Sequence, residues 1–486
     1  MELYCTVVKS GRVDEYGRPL SVNQLYSGSD DLVRSLIASQ AAVEYPQVTA
    51  NESLVSHEEV HSQLGTPPYK FKRNFQTKKF TVLDDMASAA TNWNNSRTGC
   101  TLSDDTTIIR EENEAVNALK VTISATYARF QRQFGSAVTI TGTVNVWVYF
   151  DSNPTPGMTF EVYFTSDYTN FATKYIKWYY PGDTYLRKGW NCLSLNTADD
   201  GTKTWATITS GGGEAWTNAM NGIKIIANHP TASGQVFRIG GVFWGGEARA
   251  NVLVNLDDGS DSQWTIFNIF RSRGIPINLS IITSKVGQAN YLTWDQLDQM
   301  YAWGCDIIPH SVTHLTGGMD ASTVSDATYE LTQSRQVLLD HGYLRTADIF
   351  AWPQNDYVSS VGVDLIALAT SLGYKMCRGS TRRDLPTAQG IDNPMRLPSA
   401  DLGGRTLAQV LKVLDAAELY KQTSILYGHR LVGTATSPAS GGTPPADGLE
   451  WYWSDYVALA DSIASRYTAG TLTPITYSEL KAECRY

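Results

Sequence analysis

The stretch Val252-Leu253-Val254-Asn255-Leu256-Asp257-Asp258-Gly259 reads as a mostly apolar strand that stops on two carboxylates and a glycine. The next fifty residues keep a regular rhythm. Trp264 to Arg273 has helical spacing, Ile277 to Ile282 is a second strand, Trp294 to Trp303 a second helix, and Asp306-Ile307-Ile308 a third strand. Strands alternating with helices at this spacing predict parallel strands joined by crossover helices. In such folds chemistry gathers at the carboxyl ends of the strands, where Asp257 and Asp258 fall.

Two further strand ends carry reactive side chains. His310-Ser311-Val312-Thr313-His314 follows the third strand, and histidines at i and i+4 of a helical turn share one face, so both imidazoles could reach one ion. Later, Ser424-Ile425-Leu426-Tyr427-Gly428 is a strand that runs into His429. Each piece alone has a plain explanation: a solvated turn, two unrelated histidines, a structural histidine. Their conjunction is specific, because the chain has 7 histidines and three of them fall at strand ends of one α/β region. Two histidines and a carboxylate, with coordination left for water, predict a metal hydrolase.

Upstream the pattern differs. Over residues 78–247, Val138 to Phe150 alternates as a half-buried strand should, and Phe160–Phe164 and Gly222–Ile226 repeat the pattern between Gly, Pro, Asn and Asp turns. Short alternating strands without helices predict a β-sandwich of jelly-roll type, a fold that commonly binds carbohydrate or spaces domains. Residues 1–77 are short-period and polar, with strand and turns over Ser10–Pro19, a short helix from Asp30 to Ile37, and a break at Thr66-Pro67-Pro68. The expected fold is therefore multidomain: a small α+β module (1–77), a β-sandwich (78–247) and an α/β domain (248–486).

The 486 residues carry 39 Lys and Arg against 48 Asp and Glu, net −9, with no basic block, so nucleic acid is not an expected partner. Apolar residues at 42% and charged ones at 18% exclude a largely disordered chain. No apolar run approaches a membrane span, and Met-Glu-Leu-Tyr-Cys at the start lacks the pattern of a secretory signal. The 6 cysteines are scattered without a Cys-x-x-Cys pair, which argues against a cysteine-held zinc or a disulfide framework. With 13 Trp, 26 Tyr and 14 Phe the chain has ample rings for stacking on sugars.

Asn255-Leu256-Asp257-Asp258-Gly259 resembles the Thr-Phe-Asp-Asp-Gly motif of the polysaccharide deacetylases (NodB homology, carbohydrate esterase family 4). His310-Ser311-Val312-Thr313-His314 is similar to their His-Ser/Thr-x-x-His motif, and Ile425-Leu426-Tyr427-Gly428-His429 to their late Leu-x-x-His element. The order agrees, over roughly residues 248–486. Trp453 to Ile463 and Thr473 to Leu480 are similar to the closing helix and strand of that family. The resemblance implies a distorted (β/α) barrel in which Asp258, His310 and His314 hold a divalent metal, with Zn²⁺ the expected ion. It implies Asp257 as general base and His429 as general acid in removing acetyl groups from a carbohydrate.

The sequence departs from the family where an Arg near Pro orients the base: Phe350-Ala351-Trp352-Pro353-Gln354 has Ala351, as in a subgroup with Phe-x-Tyr-Pro. Arg396, before Leu397-Pro398, is a candidate substitute, or forms a surface ion pair. Trp352 is a candidate to line the sugar site, or packs in the core, and Tyr427 is a candidate to contact substrate. Trp451 and Trp453, after the Gly/Pro/Ser-rich stretch 433–448, either form a sugar-stacking lip or anchor the last helix. His57-Glu58-Glu59-Val60-His61 matches a zinc-protease motif, but its polar flanks and the nearby prolines predict a solvated helix. Segments Val7–Leu20 and Asp31–Val43 are similar to small modules of tailed-bacteriophage virion proteins. That similarity implies attachment to other tail proteins, a virion location and, by analogy with phage spikes, a trimer. The expected partner outside is a bacterial surface polysaccharide, and the competing expectations are an exported bacterial protein or a virion protein that binds glycan without catalysis.

Overall fold

A computed structural model describes residues 80–109, 117–181, 186, 188–199, 207–231, 234–245, 249–316, 318–319, 323–355, 364–382, 394–434 and 444–483, with the backbone of five short strands in residues 3–45. Those five are β1 (Leu3–Val7), β2 (Arg12–Val13), β3 (Pro19–Leu20), β4 (Leu25–Gly28) and β5 (Ala42–Tyr45). β1 lies antiparallel between β4 and β5, and β2 pairs with β3. The helix expected over Asp30–Ile37, the His57–His61 motif and the Thr66-Pro67-Pro68 break lie outside the described residues.

Residues 80–245 form two antiparallel sheets. Their elements are β6 (Phe80–Asp84), α1 (Ala89–Asn92), β7 (Asn95–Thr98), β8 (Cys100–Asp105), β9 (Ala118–Ile123), β10 (Tyr127–Val138) and β11 (Thr143–Phe150). Then come β12 (Thr159–Thr165), β13 (Tyr175–Pro181), β14 (Gly189–Asn196), β15 (Thr207–Gly211), β16 (Met220–Asn228) and β17 (Val236–Gly245). One sheet runs β10-β16-β12-β13-β15, the other β14-β11-β17-β9-β8 with β6 against β17. Alternating side chains from both fill the space between, where Phe160 meets Phe237 edge-on at 5.2 Å and Phe150 at 5.8 Å. The alternation of Val138–Phe150 predicts one strand, but the chain leaves the first sheet at Val138 and re-enters the second at Thr143. Gly142, with φ +82°, makes the corner, and alternation persists because both strands face the same core.

From residue 250 the chain builds a parallel sheet. β18 (Ala250–Asp258) leads through α2 (Gln263–Arg271) to β19 (Asn278–Ile281), and α3 (Trp294–Trp303) leads to β20 (Asp306–Pro309). α4 (Val324–Asp340), β21 (Ile349–Ala351), α5 (Leu365–Ser371), β22 (Met376–Arg382), β23 (Leu397–Asp401), α6 (Leu407–Tyr420) and β24 (Thr423–Gly428) continue it. The chain closes with β25 (Arg430–Val432), β26 (Glu450–Tyr452), α7 (Trp453–Thr468), β27 (Leu472–Pro474) and α8 (Tyr477–Glu483). The strand order β20-β19-β18-β24-β23-β22-β21 is parallel throughout, with β27 beside the start of β18. It curls into a nearly closed barrel. The gap between β20 and β21 is spanned by Thr346 Oγ1 donating to Ile307 O (2.9 Å) and by the His310 ring on Ala351 O (2.9 Å). Leu253, Ile308, Ile349, Met376, Leu397 and Ile425 fill the interior, while the opposite faces of the strands pack under the helices. Thr293, Thr323 and Thr406 cap α3, α4 and α6 with reciprocal Gln or Asp side chains, which is why those helices start where they do.

The sandwich docks on the carboxyl end of α6. Asn196 Nδ2 donates to Leu419 O (2.7 Å) and Thr143 Oγ1 to Tyr420 O (2.9 Å), so one domain satisfies terminal helix carbonyls of the other. Tyr420 in turn donates its hydroxyl to Asp199 (2.6 Å).

Within the sandwich, the enclosed Asp84 carboxylate accepts from Met86 N (2.9 Å) and Trp93 Nε1 (2.6 Å) and pairs with Arg132. Asp84→Ala orphans all three donors and is expected to cost about 3 kcal/mol. Chemical denaturation followed by tryptophan fluorescence measures it; a loss below about 1 kcal/mol contradicts a stabilising role for this carboxylate in the sandwich core.

Candidate active site

Along β18 alternation sends Asn255 and Asp257 to the same side, and Asn255 Nδ2 donates to Asp257 Oδ1 (2.6 Å) and Ser280 Oγ (2.9 Å). Asp257 is 2% exposed, and the wholly buried Arg378 on β22 donates through Nη2 to both of its oxygens at 2.7 Å. Burial alone raises the Asp257 pKa, but the Arg378 guanidinium, with His310 and His429 behind it, outweighs burial and holds it at about 2. Asp257 is therefore an ionised, aimed carboxylate at neutral pH. Arg396 is not its partner: that side chain points to the sandwich, donating to Asn153 Oδ1 at 3.2 Å. The expectation of Arg396 as the base-orienting arginine is corrected to Arg378.

Next in sequence, Asp258 and Gly259 both have left-handed backbone (φ +75° and +81°), which turns Asp258 away from the strand toward the β20 end. There the histidines do not occupy a helical turn, as their spacing predicts. His310–His314 is an irregular loop with Ser311 at φ +68° and His314 at +55°, conformations costing roughly 1–2 kcal/mol each for such residues. The loop is held by Glu330 of α4, a 2%-exposed carboxylate that accepts from Val312 N (2.6 Å), Thr313 N (2.9 Å) and Thr313 Oγ1 (2.7 Å). Ser311 Oγ accepts from His314 N at 2.9 Å.

This folding brings His310 Nε2 to 3.5 Å and His314 Nε2 to 3.8 Å from Asp258 Oδ1, with the two rings 5.2 Å apart. One ligand atom from each of Asp258, His310 and His314 lies within 4.8 Å of the others. His310 Nδ1 faces Ala351 O, which can only accept, so the proton sits on Nδ1 and the Nε2 lone pair faces Asp258. Burial lowers His310 to about 4 despite Asp257 and Asp258 nearby, so the ring is neutral at pH 7. A lone pair and a carboxylate at this separation repel unless a cation lies between them. Asp258 Oδ1 is enclosed and has no hydrogen-bond partner among the described residues. Two imidazole nitrogens and one carboxylate oxygen, with the remaining coordination open, fit a divalent transition metal.

Across the site, His429 follows β24 and is half-buried, with Nδ1 enclosed and unpartnered among the described residues. Gln263 Nε2 donates to the carbonyls of Asp257 and His429, tying the two strand ends together. Asp401, at the end of β23, has its pKa raised by burial and pulled back by the neighbouring His429, and it accepts a hydrogen bond from Tyr427. Tyr427 is 6% exposed and 5.7 Å edge-on from His429, so it supports the site instead of offering an open stacking face. Trp352 and Trp451 are each 1% exposed: Trp352 packs on Phe350, and Trp451 packs on Tyr456 and donates to Arg405 O at 2.9 Å. Neither can stack on a sugar: Trp451 takes the anchoring reading and not the sugar-lip one, and the reading of Trp352 as a substrate contact is corrected to core packing; of the aromatic candidates Trp453 keeps a half-exposed ring at the start of α7. Sequence reasoning misses Arg378, Glu330, Asp401 and Gln263. A glutamate on the buried face of α4 is the signal that marks Glu330, whereas Arg378, the third residue of β22, carries no local mark.

Asp257, Asp258, His310, His314 and His429 thus gather at the carboxyl ends of the strands of a nearly closed parallel barrel. Residues 246–377 match the family model for polysaccharide deacetylase, so the chain carries a polysaccharide deacetylase domain. That match contains Asp257, Asp258 and both loop histidines, and ends one residue before Arg378. Among solved structures the chain is similar to a family 4 carbohydrate esterase from Streptomyces lividans in complex with acetate, at 15% identity and TM-score 0.31, covering 46% of this chain and 91% of that one. It is also similar to the Streptococcus pyogenes deacetylase PplD in complex with acetate (18% identity, TM-score 0.24), covering 30% of this chain and 62% of that one. A third is the enzymatically active domain of bacteriophage CBA120 tailspike protein 4 (12% identity, TM-score 0.22), with 34% of this chain and 22% of that one covered. No curated protein matches the sequence.

Glu330→Ala strands the Val312 and Thr313 N–H groups and frees a loop that is held against its own backbone preference. It is expected to destabilise the barrel by about 2–4 kcal/mol in chemical denaturation. Wild-type stability in this variant contradicts the anchoring role.

Proposed function

We propose that this protein is a metal-dependent deacetylase that removes acetyl groups from a bacterial surface polysaccharide such as capsule or O-antigen, carried on a phage tail. The observation that carries the reading is the convergence of Asp258, His310 and His314 beside an ionised, arginine-held Asp257. A divalent ion held by those three, Zn²⁺ by the chemistry of the donor set, would supply Lewis acidity to the acetyl carbonyl and a lowered pKa to the attacking water. Asp257 accepts the proton of that water on a carboxylate oxygen while Arg378 keeps it aimed. As the water oxygen adds to the acetyl carbon, the bond from that carbon to the sugar nitrogen or oxygen breaks. His429 hands a proton to the departing atom through Nε2, since its Nδ1 is enclosed. Asp401 lies beside it at the end of β23. Acetate and a free amine or hydroxyl result. The virion setting rests on the phage-like pattern of Val7–Leu20 and Asp31–Val43, through which the chain would join other tail proteins.

The purified chain is expected to release acetate from acetylated host polysaccharide, and Asp257→Asn to lower the rate at least about 100-fold. Bound metal without acetate from any host polysaccharide would favour a glycan-binding role. Arg378→Gln removes the charge that holds Asp257 down, so the Asp257 pKa rises. Because the base acts ionised, the acid limb of the kcat/KM–pH profile is expected to move to higher pH; an unmoved limb contradicts the base assignment.

A further inference from the structure

The sheet β10-β16-β12-β13-β15 has its second face turned out of the sandwich, and the domain contact uses the other sheet. The register places Gln131, Lys224, Tyr163, Lys177 and Thr209 side by side across all five strands. Such a face usually carries short solvated side chains. Here Lys224 Nζ lies 4.2 Å from the centre of the Tyr163 ring and 4.4 Å from that of Phe171, and Tyr163 donates its hydroxyl to Glu161. Lys177 pairs with Glu161 at 3.5 Å, with its side chain 23% exposed. In the neighbouring row Tyr179 lies directly beside Glu161 and is half-buried, while Arg129 lies on the other side beyond Ile226, donating through Nη2 to Thr98 Oγ1 (3.2 Å) with Nε unpartnered among the described residues. At one end the face is walled by the loop 166–174, whose Tyr168 sits so close over Gly222 that a Cβ there would meet its ring at 2.5 Å.

Three cations, Arg129, Lys177 and Lys224, therefore share this face with one carboxylate, Glu161, on a chain of net charge −9. Burial, with Arg129 adding to it, pushes Lys224 down to about 8, which an anion laid on the face would relieve. Half-buried tyrosines offer apolar ring faces to the C–H faces of sugars, and amide and hydroxyl groups match sugar hydroxyls. We infer that this face is a binding site for an extended strand of acidic, uronate-bearing polysaccharide, with Arg129 and Lys177 pairing carboxylates and Tyr179 stacking on a ring. The site is separate from the hydrolytic centre and does not depend on the deacetylase reading.

Affinity electrophoresis of the full chain through native gels containing polygalacturonate or neutral dextran tests this, and mobility is read independently of acetate release. Retardation by polygalacturonate and not by dextran is expected, weakening with salt. Arg129→Glu combined with Lys177→Glu is expected to lower the apparent affinity at least about fivefold. Tyr179→Ala, which leaves the charges in place, is expected to weaken binding as well, and covers the case in which the double variant unfolds. No retardation by polygalacturonate, equal retardation by dextran, or variants that migrate as wild type would each overturn the inference.

Discussion

Asp257 and Arg378 meet inside the barrel, both closed off from water, and much of the site follows from that ion pair. Two charges brought out of solvent cost several kcal/mol each unless they are fully paired, and here both carboxylate oxygens are engaged by one guanidinium. The pair links the end of β18 to β22 across the barrel interior. It also decides protonation: without the guanidinium, burial would push Asp257 toward the neutral acid, which cannot accept a proton. Gln263 and Asn255 then limit how far the strand end can move.

A second constraint acts next door. The Ala351 carbonyl selects one tautomer of His310, and that tautomer points a lone pair at Asp258. Glu330 keeps the loop in a shape its own residues disfavour, bringing His314 to the same point. Backbone strain and a buried carboxylate thus keep three electron-rich atoms together, an arrangement that makes sense physically with a cation between them.

Much of this is legible in the sequence, and what is not has a consistent cause. The helix at Trp294–Trp303 is bounded by Thr293 and Gly304, local signals that need no tertiary information. Asp257, Asp258, His310, His314 and His429 can be read because rare residue types sit at strand ends. Arg378 cannot, because its partner is 121 positions away and nothing local distinguishes it from Arg396. The histidine loop reads as a helical turn because spacing carries no information about left-handed backbone imposed by a glutamate on another element. Trp352 and Trp451 show the limit of composition: a count of rings says nothing of which way they face, and both are core. The corner at Gly142 is hidden because alternation continues through it.

The chemistry of the site depends above all on a cation among Asp258, His310 and His314. Anomalous X-ray scattering from crystals of the purified chain, recorded on either side of the zinc edge, tests for it most directly. A peak about 2.0–2.2 Å from both imidazole Nε2 atoms and an Asp258 oxygen is expected. Crystals grown with zinc present that show the three side chains in place and no anomalous density among them would contradict it.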